Sequence, residues 1–573
     1  MVTYRHHRRK IRFIGTTVLV ILALLCGRLG YLIIIKADEL RAAADELHER
    51  ERAIKASRGN IISADGTVLA ANTTVCTVSV IHSQITDEEK VIDVLSKELD
   101  MDSEKVRSYV TKVSSMEKVK QNVSKEVGDC IRNYNLEGVK VDEDKKRIYP
   151  YFTLASKVLG FCGADNQGIV GLEVEYDDVL SGINGQILTM TDAAGVEIEE
   201  LEETRKEPVS GSDLYISLDY TIQSYCMQAA KKAYEAKQAK SVSIIVMNPQ
   251  NGEILAMVNY PEYDLNDPYT LNYDVEDNLS EDEMMNLLNS MWRNTVTNDT
   301  YEPGSTFKLI TSTAALSTGA VSLNDHYSCS GNIVVSGRTI RCHKTTGHGS
   351  QSFAETLQNS CNPAFITWGL RTGVDNFLKY MDILGLLSKT GVDLPGEAST
   401  IMHNRDNIKE LELATMSFGQ SFQITPLQLL RAVSCIVNGG TLVTPHLGVK
   451  TVDASGNETV LQYETKENVI EASISETMKG LMKDVVEKGG GSRCYIEGYS
   501  IGGKTATSQK LPRSEQKYIA SFIGFAPVED PKVIAMCVID EPQGIYYGGT
   551  IAAPVIKEVF ENILPYLGIE KGQ

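Results

Sequence analysis

The sequence predicts an α+β fold in its C-terminal half, set behind a mixed segment of strands and helices and one membrane-spanning helix. Apolar, strand-like runs sit at both ends of the C-terminal half, at 242–247 and 254–259 and again at 518–526 and 533–539. The interval from about 280 to 490 is mainly helical in pattern. One sheet that joins the two ends, with helices packed between them, satisfies this order. A basic stretch followed by a long apolar run opens the chain.

With 573 residues the chain exceeds what one domain usually needs. Its 42% apolar and 23% charged residues are those of a globular protein able to bury a large core. The net charge of -19 argues against a nucleic-acid partner, because phosphate binding needs a basic face.

The elements follow in order. Arg5, Arg8, Arg9, Lys10 and Arg12 are positive, and no acid accompanies them. Residues 13–35 are then almost continuously apolar. At about 1.5 Å per residue this run crosses a hydrocarbon core of about 30 Å. Arg28 interrupts it, and Gly27 and Gly30 beside it would admit a second helix. The basic flank predicts a cytoplasmic N-terminus with the C-terminal bulk outside. No small-x-small cleavage pattern follows a short apolar core, so the run is expected to remain as a single-pass anchor. Residues 36–56 read as a charged helix, with Ala42, Ala43 and Ala44 as strong helix formers. From 58 to about 208, strand-like 75–81 alternates with helical stretches such as 88–99, and no catalytic cluster occurs. In the C-terminal half, Asn251-Gly252 is a hairpin signal between the first two strands. Residues 499–508 supply a fifth strand candidate.

Three motifs carry chemistry. Pro303 and Gly304 turn the chain toward a helix that starts near Ser305, and residues three apart on a helix share a face. Ser305 and Lys308 therefore point the same way. A serine hydroxyl needs a base to become nucleophilic, and a desolvated lysine is one. Ser360-Cys361-Asn362 lies in a turn between a helix begun by the Ser352/Glu355 capping box and another begun at Pro363. Gly502-Gly503-Lys504-Thr505-Ala506-Thr507 puts small residues, a charge and hydroxyls on a strand against which an extended substrate would lie. Each motif is ambiguous alone. Ser-x-x-Lys is usually a solvated helix face, Asn362 reads equally as a simple helix cap, and the third stretch reads as a glycine-rich hairpin.

Eleven cysteines form no regular framework. Cys329 and Cys342 lie in a Gly- and Ser-rich stretch with turn signals at Ser330-Gly331 and Ser336-Gly337. Free thiols are the first expectation, and a Cys329–Cys342 disulfide, permitted outside the cell, the second. Cys342, His343 and His348 hint at zinc but lack a fourth ligand at good spacing, so no metal is expected.

Ser-x-x-Lys, then Ser-x-Asn about 50 residues on, then Lys-Thr-Gly near the end is the signature of penicillin-recognising serine enzymes. Over nearly its whole length the chain resembles the class B penicillin-binding proteins. Arg58-Gly59-Asn60-Ile61, Gly171-Leu172-Glu173, Tyr176-Asp177 and Leu180-Ser181-Gly182 match their pedestal, or dimerisation, domain. Gly252 to Ala256, Arg293-Asn294, Gly419-Gln420 and Thr425 to Gln428 match the catalytic half. Ala506 departs from the glycine that usually ends the third motif, and Cys361 occupies the variable middle of the second.

The resemblance implies a serine β-lactamase-like domain, an antiparallel sheet flanked by helices, at 241–567. Before it would stand a cytoplasmic tail at 1–12, an anchor at 13–35, a pedestal at 36–215 and a linker helix at 216–240. It implies a D,D-transpeptidase that cross-links D-Ala-D-Ala stem peptides through an acyl-serine and is the target of β-lactams. Ser305 would be the nucleophile, Lys308 its base, Ser360 a proton relay and Asn362 a substrate-amide ligand. Lys504 and Thr505 would hold the terminal carboxylate, and the N–H groups of Ser305 and Thr507 the oxyanion, with no cofactor. A membrane glycan polymerase of the shape, elongation, division and sporulation type is the implied partner, in septal or spore-cortex synthesis. The same constellation serves D,D-carboxypeptidases and β-lactamases, and Ala506 leaves room for a catalytically weak scaffold.

Overall fold

The computed structural model describes residues 2–36, 49–114, 116–190, 204–275 and 279–572. The helix Val2–Gly30 opens the chain and continues into a π-helical turn, Tyr31–Ile35. Its stretch Arg9–Ile35 is apolar and long enough to cross a bilayer, and none of it is buried against protein. Of the charged helix expected over 36–56, residues 37–48, with Ala42 to Ala44, lie outside the described residues. Glu49–Ile54 is a β-strand, paired antiparallel with Gly185–Met190. Pairing with a strand more than a hundred residues away overrides the local helix preference of Glu, Arg and Ala.

Contacts divide the chain into two compact units. One comprises 1–57, 73–146 and 183–209, the other 58–72, 147–182 and 210–573. In the first, the helix Glu88–Leu99 is amphipathic. Val91, Ile92, Leu95 and Leu99 form its buried stripe and close on Val78 and Val80 of the strand Val68–Val80. Asp87 caps it by accepting the Lys90 N–H.

The second unit is built on a five-stranded antiparallel sheet: β1 Ser241–Met247, β2 Ile254–Tyr260, β3 Gly502–Gln509, β4 Tyr518–Ala526 and β5 Val533–Asp540. The order is β2-β1-β5-β4-β3, so strands from both ends of the domain are neighbours and β3 is an edge. Both faces are buried. Ile245 and Met247 of β1 join the core of the helical half, while Val242, Ile244 and Val246 join a second core on the other face. The helix Tyr220–Lys237, expected as a linker, belongs to that second core through Ile222, Cys226 and Ala230. Its Gln223 side chain bonds both the N–H and the C=O of Met257 on β2.

Between β2 and β3 the chain is mostly helical, but three short strand pairs interrupt it, the last being Gly448–Val452 with Glu458–Val460. His326–Cys329 pairs with Gly349–Ser352, and Asn332–Val335 with Arg338–Arg341. Also in this unit, Glu173 is fully buried among cations. Arg58 Nε lies 2.6 Å from one oxygen and Arg147 Nε 2.7 Å from the other, and Arg58 Nη1 reaches Asp177 at 2.6 Å. Burial pushes the Glu173 carboxyl up, but Arg147 and Arg58 outweigh it and hold it below its ordinary value.

Candidate active site

Pro303 and Gly304 lead into a short 3-10 helix, Gly304–Phe307, which continues as the α-helix Lys308–Ser317. Side chains at i and i+3 eclipse in a 3-10 turn, which puts Ser305 and Lys308 on one face. Contacts from distant segments fix this turn. The Gly304 N–H donates to Gly419 O at 2.9 Å, and Glu302 accepts from the Ser421 N–H at 2.8 Å and from Arg513 Nη2 at 3.0 Å. Beneath it the Phe307 ring meets Phe422 edge-on at 4.6 Å. A Cβ on Gly304 would lie 2.4 Å from Ser508 Oγ, so the turn carrying Ser305 abuts β3.

Lys308 is fully buried. Its Nζ lies 2.7 Å from Ser360 O, 3.0 Å from Ser360 Oγ and 2.7 Å from Asn362 Oδ1. Ser360 and Asn362 reach it from the turn between Phe353–Gln358 and Asn362–Thr372. The Ser352/Glu355 capping box starts the first helix and Pro363 lies in the first turn of the second. The residue preceding that second helix is Cys361, which makes no side-chain cap bond. Asn362 is therefore not the cap that one sequence expectation made it; it is already helical and turns its amide oxygen to Lys308.

Lys504 of β3 is also fully buried, and its Nζ lies 3.2 Å from Ser360 Oγ and 3.1 Å from Thr505 O. The Ser360 hydroxyl thus bridges two lysine nitrogens. Burial lowers Lys308 to about 7, against the opposing influence of Cys361 and Cys342. Burial first, and then Lys308, hold Lys504 well below the ordinary lysine range. Among the described residues no carboxylate is within ion-pair distance of either nitrogen, so an uncharged amine is the favoured state of at least one. Thr505 and Thr507 are partly exposed, whereas Ala506 is only 3% exposed. The Ala506 methyl therefore takes up almost none of the open edge. Thr507 Oγ1 accepts the Gly548 N–H at 3.1 Å.

Lys308, Ser360, Asn362 and Lys504 thus meet at one place, with Ser305 one turn from Lys308 and Thr505 and Thr507 next along β3. Sequence reasoning missed Glu302, Arg513 and Ser421, which brace the Ser305 turn. It also missed a cluster of thiol and imidazole groups. Cys329 and Cys342 are free thiols, and one potential ligand atom from each of Cys329, Cys342, His348 and Cys361 lies within 4.8 Å of the others. The cluster keeps Cys342 and His348 of the sequence hint, leaves out His343, and adds Cys329 and Cys361.

The family model of the penicillin-binding protein transpeptidase domain matches residues 242–561, and that of the penicillin-binding protein dimerisation domain matches 53–216. Stage V sporulation protein D of Bacillus subtilis (strain 168) is 36% identical, over 98% of this chain and 86% of its own length. The probable peptidoglycan D,D-transpeptidase PenA of Neisseria gonorrhoeae is 28% identical, over 98% of this chain and 93% of its own. The fold is shared with a solved structure, penicillin-binding protein 2X of Streptococcus thermophilus. The TM-score is 0.75 at 22% identity, covering 91% of this chain and 81% of that one. The order of motifs, the buried cluster they form and these matches agree: the chain belongs to the class B penicillin-binding proteins.

Proposed function

We propose that this protein is a membrane-anchored serine D,D-transpeptidase that cross-links peptidoglycan. Ser305 Oγ attacks the carbonyl carbon of the penultimate D-Ala of a stem peptide, and its proton passes to neutral Lys308 Nζ. The peptide bond to the terminal D-Ala breaks, and Ser360 relays the proton from Lys308 to the leaving amine. Asn362 holds the substrate amide, Lys504 and Thr505 the terminal carboxylate. The N–H groups of Ser305 and Thr507 receive the oxyanion, worth about 3 kcal/mol per donor. The amine of a neighbouring stem then attacks the ester and returns a proton to Ser305. β-Lactams acylate the same serine.

The observation that carries this assignment is the buried Lys308 nitrogen, one turn from Ser305 and bonded to Ser360 and Asn362. Residues 1–12 are assigned to the cytoplasm, 13–35 to the bilayer, and the pedestal at 36–215 and catalytic domain at 241–567 to the outer face. The likeness to a sporulation protein supports a role in spore-cortex synthesis, beside a membrane glycan polymerase that docks on the anchor and pedestal. Labelling of the full-length protein with a fluorescent penicillin tests the assignment. Labelling of wild type and none of Ser305→Ala is expected; labelling that survives the substitution, or fails in folded wild type, would refute it.

A further inference from the structure

We propose that Cys329, Cys342, His348 and Cys361 bind a zinc ion that ties the Ser360–Asn362 turn to the strand pairs beside it. Three sulfurs and one imidazole nitrogen are a donor set that zinc takes in closed, structural sites. Zinc with bonds of about 2.3 Å to sulfur and about 2.0 Å to nitrogen separates its tetrahedral ligand atoms by about 3.5–3.8 Å. The four atoms here lie within 4.8 Å of one another, and Cys342 Sγ and His348 Nδ1 are already 3.6 Å apart. Closure therefore asks for shifts of about 1 Å, within the reach of side-chain rotation. All three cysteines are buried and His348 is half-buried, which suits a site that water does not enter.

The loops that bring the ligands together are built for close approach. Twelve, five and twelve residues separate the four ligands in sequence, so only folding assembles them. Gly331 and Gly347 have φ of 98° and 84°. A Cβ on Gly331 would come 2.0 Å from Thr345 O, and one on Gly347 would come 2.3 Å from Cys329 O. Glycine at these two positions lets the Cys329 and His348 loops touch. The Gly331 N–H donates to Cys329 Sγ at 3.4 Å, and Gly331 O accepts the Cys342 N–H at 2.8 Å. Backbone groups of this kind fix thiolate ligands from outside.

All four positions would be filled by protein, so the ion has no place for water or substrate and takes no part in bond making. Its effect is positional, a consequence that rests on the transpeptidase assignment. Cys361 stands between Ser360 and Asn362, the two residues that meet Lys308. Ser360 holds a left-handed φ of 50°, which a residue with a Cβ adopts only under restraint. A sulfur–zinc bond from the next residue is such a restraint.

The test uses the full-length protein in detergent, reduced and purified without a histidine tag. Elemental analysis is expected to find about one zinc per chain, falling to background in His348→Ala and Cys329→Ala but not in Cys226→Ala. Cobalt exchanged for zinc should show thiolate charge-transfer bands and the spectrum of a tetrahedral ion. Should the substituted chains fail to fold, wild type suffices: zinc should shield Cys329, Cys342 and Cys361 from alkylation and a chelator should expose them. Chelation should also slow penicillin labelling of Ser305 by about tenfold or more. Alkylation that ignores the chelator, no uptake of zinc or cobalt, a Cys329–Cys342 disulfide in the active protein, or unchanged labelling after metal removal would each overturn the proposal. A zinc-loaded protein that penicillin never labels would sink the transpeptidase assignment and leave the ion-binding site standing.

Discussion

Lys308 bears on both chemistry and stability. Its nitrogen has three oxygen partners, so an ammonium donates to all of them, while a neutral amine keeps one lone pair for the proton of Ser305. With the group lowered to about 7, it is charged below that pH and basic above it. The rate of acylation by penicillin should therefore rise with pH through about 7 and then level off; a flat profile across neutrality would count against Lys308 as base. Lys308→Arg, which keeps a charge but cannot shed it, should slow acylation by about 10²–10⁴-fold in a folded protein. The linkage has the same sign. The unfolded lysine titrates near 10.4, so the unfolded chain holds the extra proton between about 7 and about 10.4, and this group adds stability as pH rises through that window. Ala506→Gly tests the weak-scaffold alternative. Because the methyl is buried, the change should cost about 0.5–1 kcal/mol of stability and leave acylation almost unaltered. Ser305, Lys308, Ser360, Asn362 and Lys504 were legible because each stands in a short contiguous motif. Cys361 as a metal donor was not, because its partners come from other loops.

At the scale of elements, the Ser360–Asn362 turn is held by the helices on either side of it. Ser352→Ala removes a cap at the start of the first and should cost about 1 kcal/mol, read as a lower Tm. The capping box, Pro363 and the amphipathic Glu88–Leu99 were readable because caps and a 3.6-residue period are local signals. The short strands His326–Cys329 and Asn332–Val335 were not, since four residues are too few to show a two-residue alternation. Glu49–Ile54 was misread for the opposite reason. Its composition favours a helix, and a distant strand decides otherwise.

At the scale of the molecule, family motifs of the N-terminal segment serve structure, and those of the C-terminal half carry the proposed chemistry. Arg58, Glu173 and Asp177 belong to the first kind and form a buried ion cluster with Arg147. Glu173→Gln leaves two buried guanidinium groups short of charge and should destabilise the fold by about 3–5 kcal/mol, measured by denaturant unfolding. Glu173 titrates below its ordinary value when folded, so its contribution is complete above about 4.3 and is lost as pH falls through the folded value. The sheet that joins the two ends of the catalytic domain was foreseen from strand placement alone. The packing of Tyr220–Lys237 into its core was not, because a helix next to a domain boundary reads the same whether it links or packs.

The most direct measurement is mass spectrometry of the full-length protein quenched during turnover of a stem peptide ending in D-Ala-D-Ala, with an amine acceptor present. An ester on the peptide containing Ser305, lacking one D-Ala and consumed as cross-linked product appears, is the expected result. An enzyme that forms product with no adduct on Ser305, or that forms it equally well as Ser305→Ala, would contradict the mechanism.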